Sequence, residues 1–272
     1  MAVTAAVDIA NIALSRLGEA TITTLTAAGR NAEIVNELYG DDRNYCLMLF
    51  DWSCLTHRQT LARSGKFTIT AATAANPVVL TTSATHTLLA NELLTVESVS
   101  GMTDLNGGVF RIFSLTSTTI TLYDTTGATL NGTSYTAYTS GGFTYRWPGA
   151  DWEWVYDLPS DCLRVLNLLD EEFGFDPTYT WRKERDFIFT DIENAGVQYT
   201  RADTDVTVYE EELIELIATR LAWHCSRRIN GLAPYEQMMH QDYSEALARA
   251  KVANARGQQD EGEPPILWTS VR

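Results

Sequence analysis

The feature that most constrains the fold of this 272-residue chain is a long segment with almost no charge. Between residues 67 and 143 the charged side chains are Glu92, Glu97, Asp104, Arg111 and Asp124. Threonine, glycine and short β-branched runs fill most of the remainder. Helical patterns flank this segment, at residues 1–63 and 206–257. The chain must therefore combine a helical part with a part of a different structural class.

Apolar residues recur at helical spacing near the start of the chain. Thr4 can cap a first helix, and Gly18 is placed to end it. A second and longer pattern covers residues 31–49, with apolar positions on one face and charged positions on the other. These patterns predict two amphipathic helices.

A second pair of helices is predicted near the end of the chain. Thr207 with Glu210 three positions later has the signature of a capping box. The helix that follows carries His224 on its apolar face, where a hydrogen-bonded core histidine is a better interpretation than a metal ligand. Pro234 lies near the first position of the last helix, and Gly257 can end it.

The charge-poor segment has the pattern of strands. Five or six short β-branched runs are separated by turn signals, the last of them at residues 141–142. Strands of this length and spacing are typical of a small barrel or sandwich. Beyond the segment, residues 163–169 have the pattern of a buried strand, and residues 187–189 and 197–199 that of two further strands.

These patterns together predict an α+β protein with two domains. A helical-bundle domain with short strands would comprise residues 1–65 and 146–257. An all-β barrel or sandwich at residues 66–145 would interrupt it. Residues 258–272 would form a C-terminal docking tail.

Composition limits the classes of partner. The net charge of −15 argues against a surface that wraps DNA tightly or binds an anionic membrane. No apolar run approaches the roughly 20 residues that span a bilayer, and we expect neither a signal peptide nor a membrane helix. The four cysteines have no paired spacing, which predicts free buried thiols in a reducing compartment.

The sequence contains no motif that selects a reaction. It has no phosphate-binding loop, no zinc-protease motif and no nucleophile elbow. We therefore expect no catalytic residue, no cofactor and no metal site, and we predict that the chain is not an enzyme. A carboxylate pair of the glycosidase type stays open as an alternative, because scattered acidic residues could supply one.

An apolar triplet near the end of the chain is a candidate partner-binding site. Residues 258–263 are polar and acidic, and two prolines follow. Ile266, Leu267 and Trp268 then form a short apolar run, a pattern typical of a peptide that gains order on docking. The alternative is that this run folds back onto its own domain.

Five stretches carry a resemblance to a known family. The tail tubular protein A family is similar to this chain at residues 11–19, at residues 41–47, at Trp52 with residues 57–62, at the Trp-rich run of residues 152–165 and at residues 218–222. These proteins are head-to-tail adaptors of short-tailed bacteriophages. The resemblance covers most of residues 1–63 and 150–257, and residues 66–145 stand where the family has a short loop.

The resemblance implies a structural virion protein of the neck region of a phage tail, assembled in the host cytoplasm. It implies a twelve-subunit ring between the portal protein and the tail nozzle protein, with DNA passing through the channel without specific binding. The triplet of Ile266, Leu267 and Trp268 would dock on the portal. An acidic channel wall would repel DNA and let it slide.

The charge-poor segment has a weaker resemblance of its own. Residues 76–79, 99–107 and 137–142 are similar to a small β-barrel module found in ubiquitin-activating enzymes and in phage structural proteins. This implies a fold and no activity. The module could contact tail fibres or the nozzle. Two other classes stay open: a fibre-type or receptor-binding protein, and a virion-associated hydrolase.

Overall fold

The computed structural model describes residues 3–259, and their side chains through residue 255. The described residues contain four α-helices and thirteen β-strands, which confirms a mixed α+β protein. The chain divides into two compact units. The helical unit comprises Met1–Arg58, Ser160–Asn167 and Gln198–Arg272, and the barrel unit comprises Gln59–Pro159 and Leu168–Val197.

The helical unit is organised around one buried helix. Its helices are α1 (Ala6–Arg16), α2 (Arg30–Leu49), α3 (Glu211–Ile229) and α4 (Ala233–Gln259). Helix α3 packs against each of the other three, because apolar side chains cover more than one of its faces. The fully buried side chains of α3 include Leu213, Leu216, Ile217, Leu221 and Cys225. The four predicted helices are confirmed.

Helix ends differ from their predictions. The N-cap of α1 is Ala5 rather than Thr4, and the Asp8 carboxylate accepts hydrogen bonds from the backbone nitrogens of both residues, at 2.9 and 2.8 Å. The capping box predicted before α3 is wrong. Thr207 instead donates to the Asp205 carboxylate, which caps a short 3-10 turn, and α3 begins without a side-chain cap after Glu210.

The predicted stop of the last helix is also wrong, because α4 continues past Gly257 to Gln259. A glycine inside a helix costs only about 1 kcal/mol relative to alanine, so the residue alone does not end the helix. Pro234 does lie in the first turn of α4, as predicted.

A three-stranded sheet consists of β1 (Thr56–Thr60), β10 (Cys162–Leu169) and β13 (Gly196–Arg201), in the order β1–β13–β10. The predicted strands at 163–169 and 197–199 are confirmed. The first of them is less buried than predicted, since only Leu168 and Leu169 are fully buried. The helical pattern assigned to residues 1–63 ends at Leu49, and β1 is a strand that was not predicted.

The barrel unit contains a closed six-stranded antiparallel barrel. Its order is β3–β4–β7–β6–β5–β8, and β3 pairs with β8 to close it. The barrel alternative of the prediction is thus correct and the sandwich is not. Thirteen buried residues from Ile69 to Leu122 form a separate apolar core inside it. The strands are β3 (Phe67–Ala72), β4 (Val79–Thr82), β5 (Leu93–Ser100), β6 (Val109–Leu115), β7 (Thr119–Tyr123) and β8 (Ser140–Arg146).

The turn predicted at residues 141–142 is wrong, because both glycines lie within β8. Gly142 has φ of 100°, and a Cβ there would lie 2.4 Å from Cγ2 of Val99. Glycine is therefore required at this position by close packing of the two strands rather than by a chain reversal.

The same unit holds a four-stranded sheet in the order β11–β12–β9–β2. Its strands are β2 (Ala62–Arg63), β9 (Trp154–Asp157), β11 (Trp181–Glu184) and β12 (Phe187–Thr190). The strand predicted at 187–189 is confirmed. The boundaries between the two compact units differ from the domain boundaries predicted at residues 65/66 and 145/146. The six barrel strands themselves fall within residues 67–146.

Candidate partner-binding site

The helical unit contains an open groove of about 1220 Å³. The groove is lined by residues of α1, of the first turns of α3 and of the last described turns of α4, together with Val3 and Tyr209. Its size is sufficient for several side chains of a bound segment, because ligand pockets of a few hundred Å³ already hold small molecules. The aliphatic lining residues are Val3, Ile12, Ile214, Ala246, Ala248, Val252 and Ala253.

The amino-acid composition of α4 explains the groove. Where α4 borders it, the helix presents alanine at positions 246, 248 and 253. Ala246 is fully buried, and Ala250 on the same side of the helix is buried too. Alanine side chains are too short to fill the space that remains beside α1 and α3. Val252 is 51% exposed, although its side chain is apolar.

A small ion-pair network joins α1, α3 and α4, and two of its members, Glu215 and Arg249, line the groove. Glu215 of α3 accepts a hydrogen bond from Arg16 Nη2 of α1 at 2.5 Å and one from Arg249 Nη2 of α4 at 3.4 Å. Arg16 also lies 3.7 Å from the Asp242 carboxylate. All four side chains are at least 30% exposed, so solvent screens these pairs and each contributes no more than about 1 kcal/mol. The network positions the three helices.

Two carboxylates and one uncharged phenol also line the groove. Glu211 and Glu212 lie in the first turn of α3, where their carboxylates interact favourably with the helix dipole. Tyr209 is buried beside them, and its hydroxyl donates to the Asp203 carbonyl at 2.5 Å. Burial raises the pKa of Tyr209, so the phenol stays neutral. The groove thus offers apolar walls with hydrogen-bond acceptors at one edge.

A buried charged cluster joins α2 to α3 elsewhere in the same unit. The Asp42 side chain is only 4% exposed, and its Oδ1 accepts from Arg220 Nε at 2.9 Å and lies 2.7 Å from His224 Nδ1. The Arg220 guanidinium stacks 3.6 Å above the ring of Tyr45. His224 is therefore hydrogen-bonded, as predicted, although it is partly exposed rather than in the core. This cluster has a structural role.

Burial makes the thiols of Cys46, Cys54 and Cys225 poor nucleophiles at neutral pH. The four cysteines are not joined by disulfides, and two of them, Cys46 and Cys225, are buried as predicted, whereas Cys54 and Cys162 are partly exposed. Burial is the main cause that raises the pKa of Cys46 and of Cys225 to about 12 each, and that of Cys54 to about 11. Thiols with pKa values this high remain protonated, and a protonated thiol is a poor nucleophile.

The predicted docking residues Ile266, Leu267 and Trp268 lie outside the described residues. The groove itself was not predicted, and the only sequence signal for it is the alanine spacing of α4. Within residues 3–259, no group of three or more His, Cys, Asp or Glu side chains is arranged to hold a metal ion. No helix in that range has the length and apolar character that crossing a membrane requires.

No protein-family model matches this chain, and no curated protein matches it.

Proposed function

We propose that this chain is a head-to-tail adaptor of a short-tailed bacteriophage. It would form a ring that joins the portal protein to the tail nozzle protein and encloses part of the DNA channel. One observation carries the proposal: residues 11–19, 41–47 and 152–165 resemble the tail tubular protein A family. These stretches fall largely in α1, in α2 and in β9 and β10.

The finer architecture proposed here is a helical-bundle domain interrupted by an inserted barrel. Two features support it. The six barrel strands follow one another in sequence, and the first and last of them pair, with Phe67 opposite Thr144. A segment whose two ends are adjacent can be inserted into a surface loop without separating the elements on either side of it. The barrel would face outward, where it could contact fibres or the nozzle.

The charge of the chain supports a channel that DNA passes without adhering. The net charge is −15, and a ring of twelve subunits multiplies it. Proteins that bind DNA neutralise phosphates with Lys and Arg, and this chain has an excess of carboxylates instead. Carboxylates along the channel would repel DNA from the wall.

The assembly state tests this proposal. Native mass spectrometry of the purified protein, alone and with the portal protein of the same phage genome, should give a twelve-subunit assembly. Deleting residues 262–272 should abolish its binding to the portal. A trimer would indicate a fibre-type protein instead. Unchanged portal binding by the deletion variant would show that docking does not depend on the apolar triplet.

A further inference from the structure

The groove of the helical unit has no occupant among the described residues. Val252 and Ile214 face it from two helices, and carboxylates of Glu211 and Glu212 line its edge. We propose that in the free subunit this groove binds the triplet of the same chain, residues 266–268. The triplet would thus be covered before the subunit meets any partner.

The length of the intervening chain permits this contact. Helix α4 is described as far as Gln259, seven residues beyond Val252, which corresponds to about 10 Å along the helix axis. Ile266 lies seven residues beyond Gln259, and seven extended residues span up to about 24 Å. The maximum length of the connecting residues therefore exceeds the distance back to Val252, even though two stiff prolines are among them.

The chemistry of the triplet fits the groove. Isoleucine and leucine side chains match the apolar walls formed by Ile12, Ile214 and Val252. Trp268 is amphipathic, with a large apolar ring and one N–H donor. The carboxylates of Glu211 and Glu212 supply acceptors at the rim where such a donor would lie.

A contact within one chain needs little intrinsic affinity. A short linker gives the triplet an effective concentration of about a millimolar near its own groove, so a weak site suffices to hold it. A weak contact of this kind can also be displaced. If the proposed adaptor function is correct, simultaneous docking of many triplets on a portal would release them from their grooves. The covering contact itself requires no portal.

Fluorine NMR of the full-length protein labelled with 5-fluorotryptophan tests the inference. The spectrum of Trp268→Phe assigns the Trp268 resonance. In the unchanged protein this resonance should be shielded from a soluble paramagnetic agent. Val252→Glu places a charge against the bound triplet and should shift the equilibrium about tenfold toward the free form. Met238→Glu is the matched control, since Met238 is 47% exposed on the same helix and does not line the groove.

Two further comparisons make the result decisive. Leu267→Ser alters no described residue and should expose Trp268 without affecting the fold, which far-UV circular dichroism checks. The shielding should not change on dilution, because the contact is intramolecular. The inference is wrong if Trp268 is equally accessible in the unchanged protein and in Val252→Glu, or if dilution exposes it, since the groove would then bind a second copy. Neither result bears on docking to the portal, because no portal is present.

Discussion

Removing the carboxylate of Asp42 should destabilise the helical unit strongly. The side chain is 4% exposed and that of its partner Arg220 is 15% exposed, so Asp42→Ala leaves a cation without a counter-charge in a poorly hydrated site. Breaking a buried pair of this kind costs about 3–5 kcal/mol. We expect the lower end, about 3 kcal/mol, because Oδ2 of Asp42 is buried without a hydrogen-bond partner and its own desolvation cost disappears with it.

The contribution of His224 should be much smaller. Its side chain is 30% exposed, so solvent screens its contact with Asp42, and His224→Ala should cost about 0.5–1 kcal/mol. A double-mutant cycle should accordingly give a coupling of about 2 kcal/mol between Asp42 and Arg220. The coupling between Asp42 and His224 should be below about 1 kcal/mol.

Urea unfolding followed by far-UV circular dichroism measures these effects, because all four described helices belong to the helical unit. Asp41→Ala is the matched control. Asp41 is the preceding residue of the same helix, and it is exposed, so its loss should change the unfolding free energy by less than about 0.5 kcal/mol. If Asp42→Ala proved no more destabilising than Asp41→Ala, the cluster would have no structural role and the reasoning would fail.

Three further predictions follow from the packing. The buried thiols of Cys46 and Cys225 have pKa values raised from 9.0 to about 12, so the stability they contribute is complete below pH 9 and is lost as pH rises toward 12. Alkaline unfolding curves measure this loss, and a flat stability from pH 9 to 11 would contradict it. Gly142→Ala should lower the free energy of unfolding by about 3 kcal/mol, because an alanine there adds both backbone strain and a steric clash. Gly127 has a similar φ but no atom within 4 Å of a Cβ, so Gly127→Ala should cost only the strain, about 1–2 kcal/mol. Equal losses for the two variants in thermal unfolding would exclude the clash. Trp52→Phe removes the hydrogen bond that Nε1 donates to the Cys46 carbonyl at 3.1 Å, and urea unfolding should show a loss of about 2 kcal/mol rather than none.

The sequence predicted the elements that have a clear hydrophobic period. All four helices and five of the six barrel strands have one, and each of these was placed within a few residues of its position. The sixth barrel strand, β8, was missed because its two glycines were taken as a turn. Strand β1 (Thr56–Thr60) was missed because four of its five residues are exposed, which leaves no apolar alternation to detect. The capping box predicted at Thr207 does not form, because the backbone nitrogen and the hydroxyl of Thr207 both donate hydrogen bonds to the nearby Asp205 carboxylate.

The candidate site could not be predicted in the same way. The groove exists because Ile12, Ile214 and Val252 meet, and these residues are about 200 and 40 positions apart in the chain. Spacing within one helix gives the apolar face of that helix, but it does not give the partner that the face meets. The alanines of α4 indicate either that a neighbouring helix packs closely against α4 or that a space remains beside it. Only the packing of the helices in the structure distinguishes these two possibilities.

The most direct test of the adaptor proposal is electron cryo-microscopy of this protein mixed with the portal protein of the same phage genome. We predict a twelve-fold ring seated coaxially on the portal, with the barrels projecting from its outer edge and an open channel along the axis. Particles in which the protein is absent from the portal, or bound to it without forming a closed ring, would contradict the proposal.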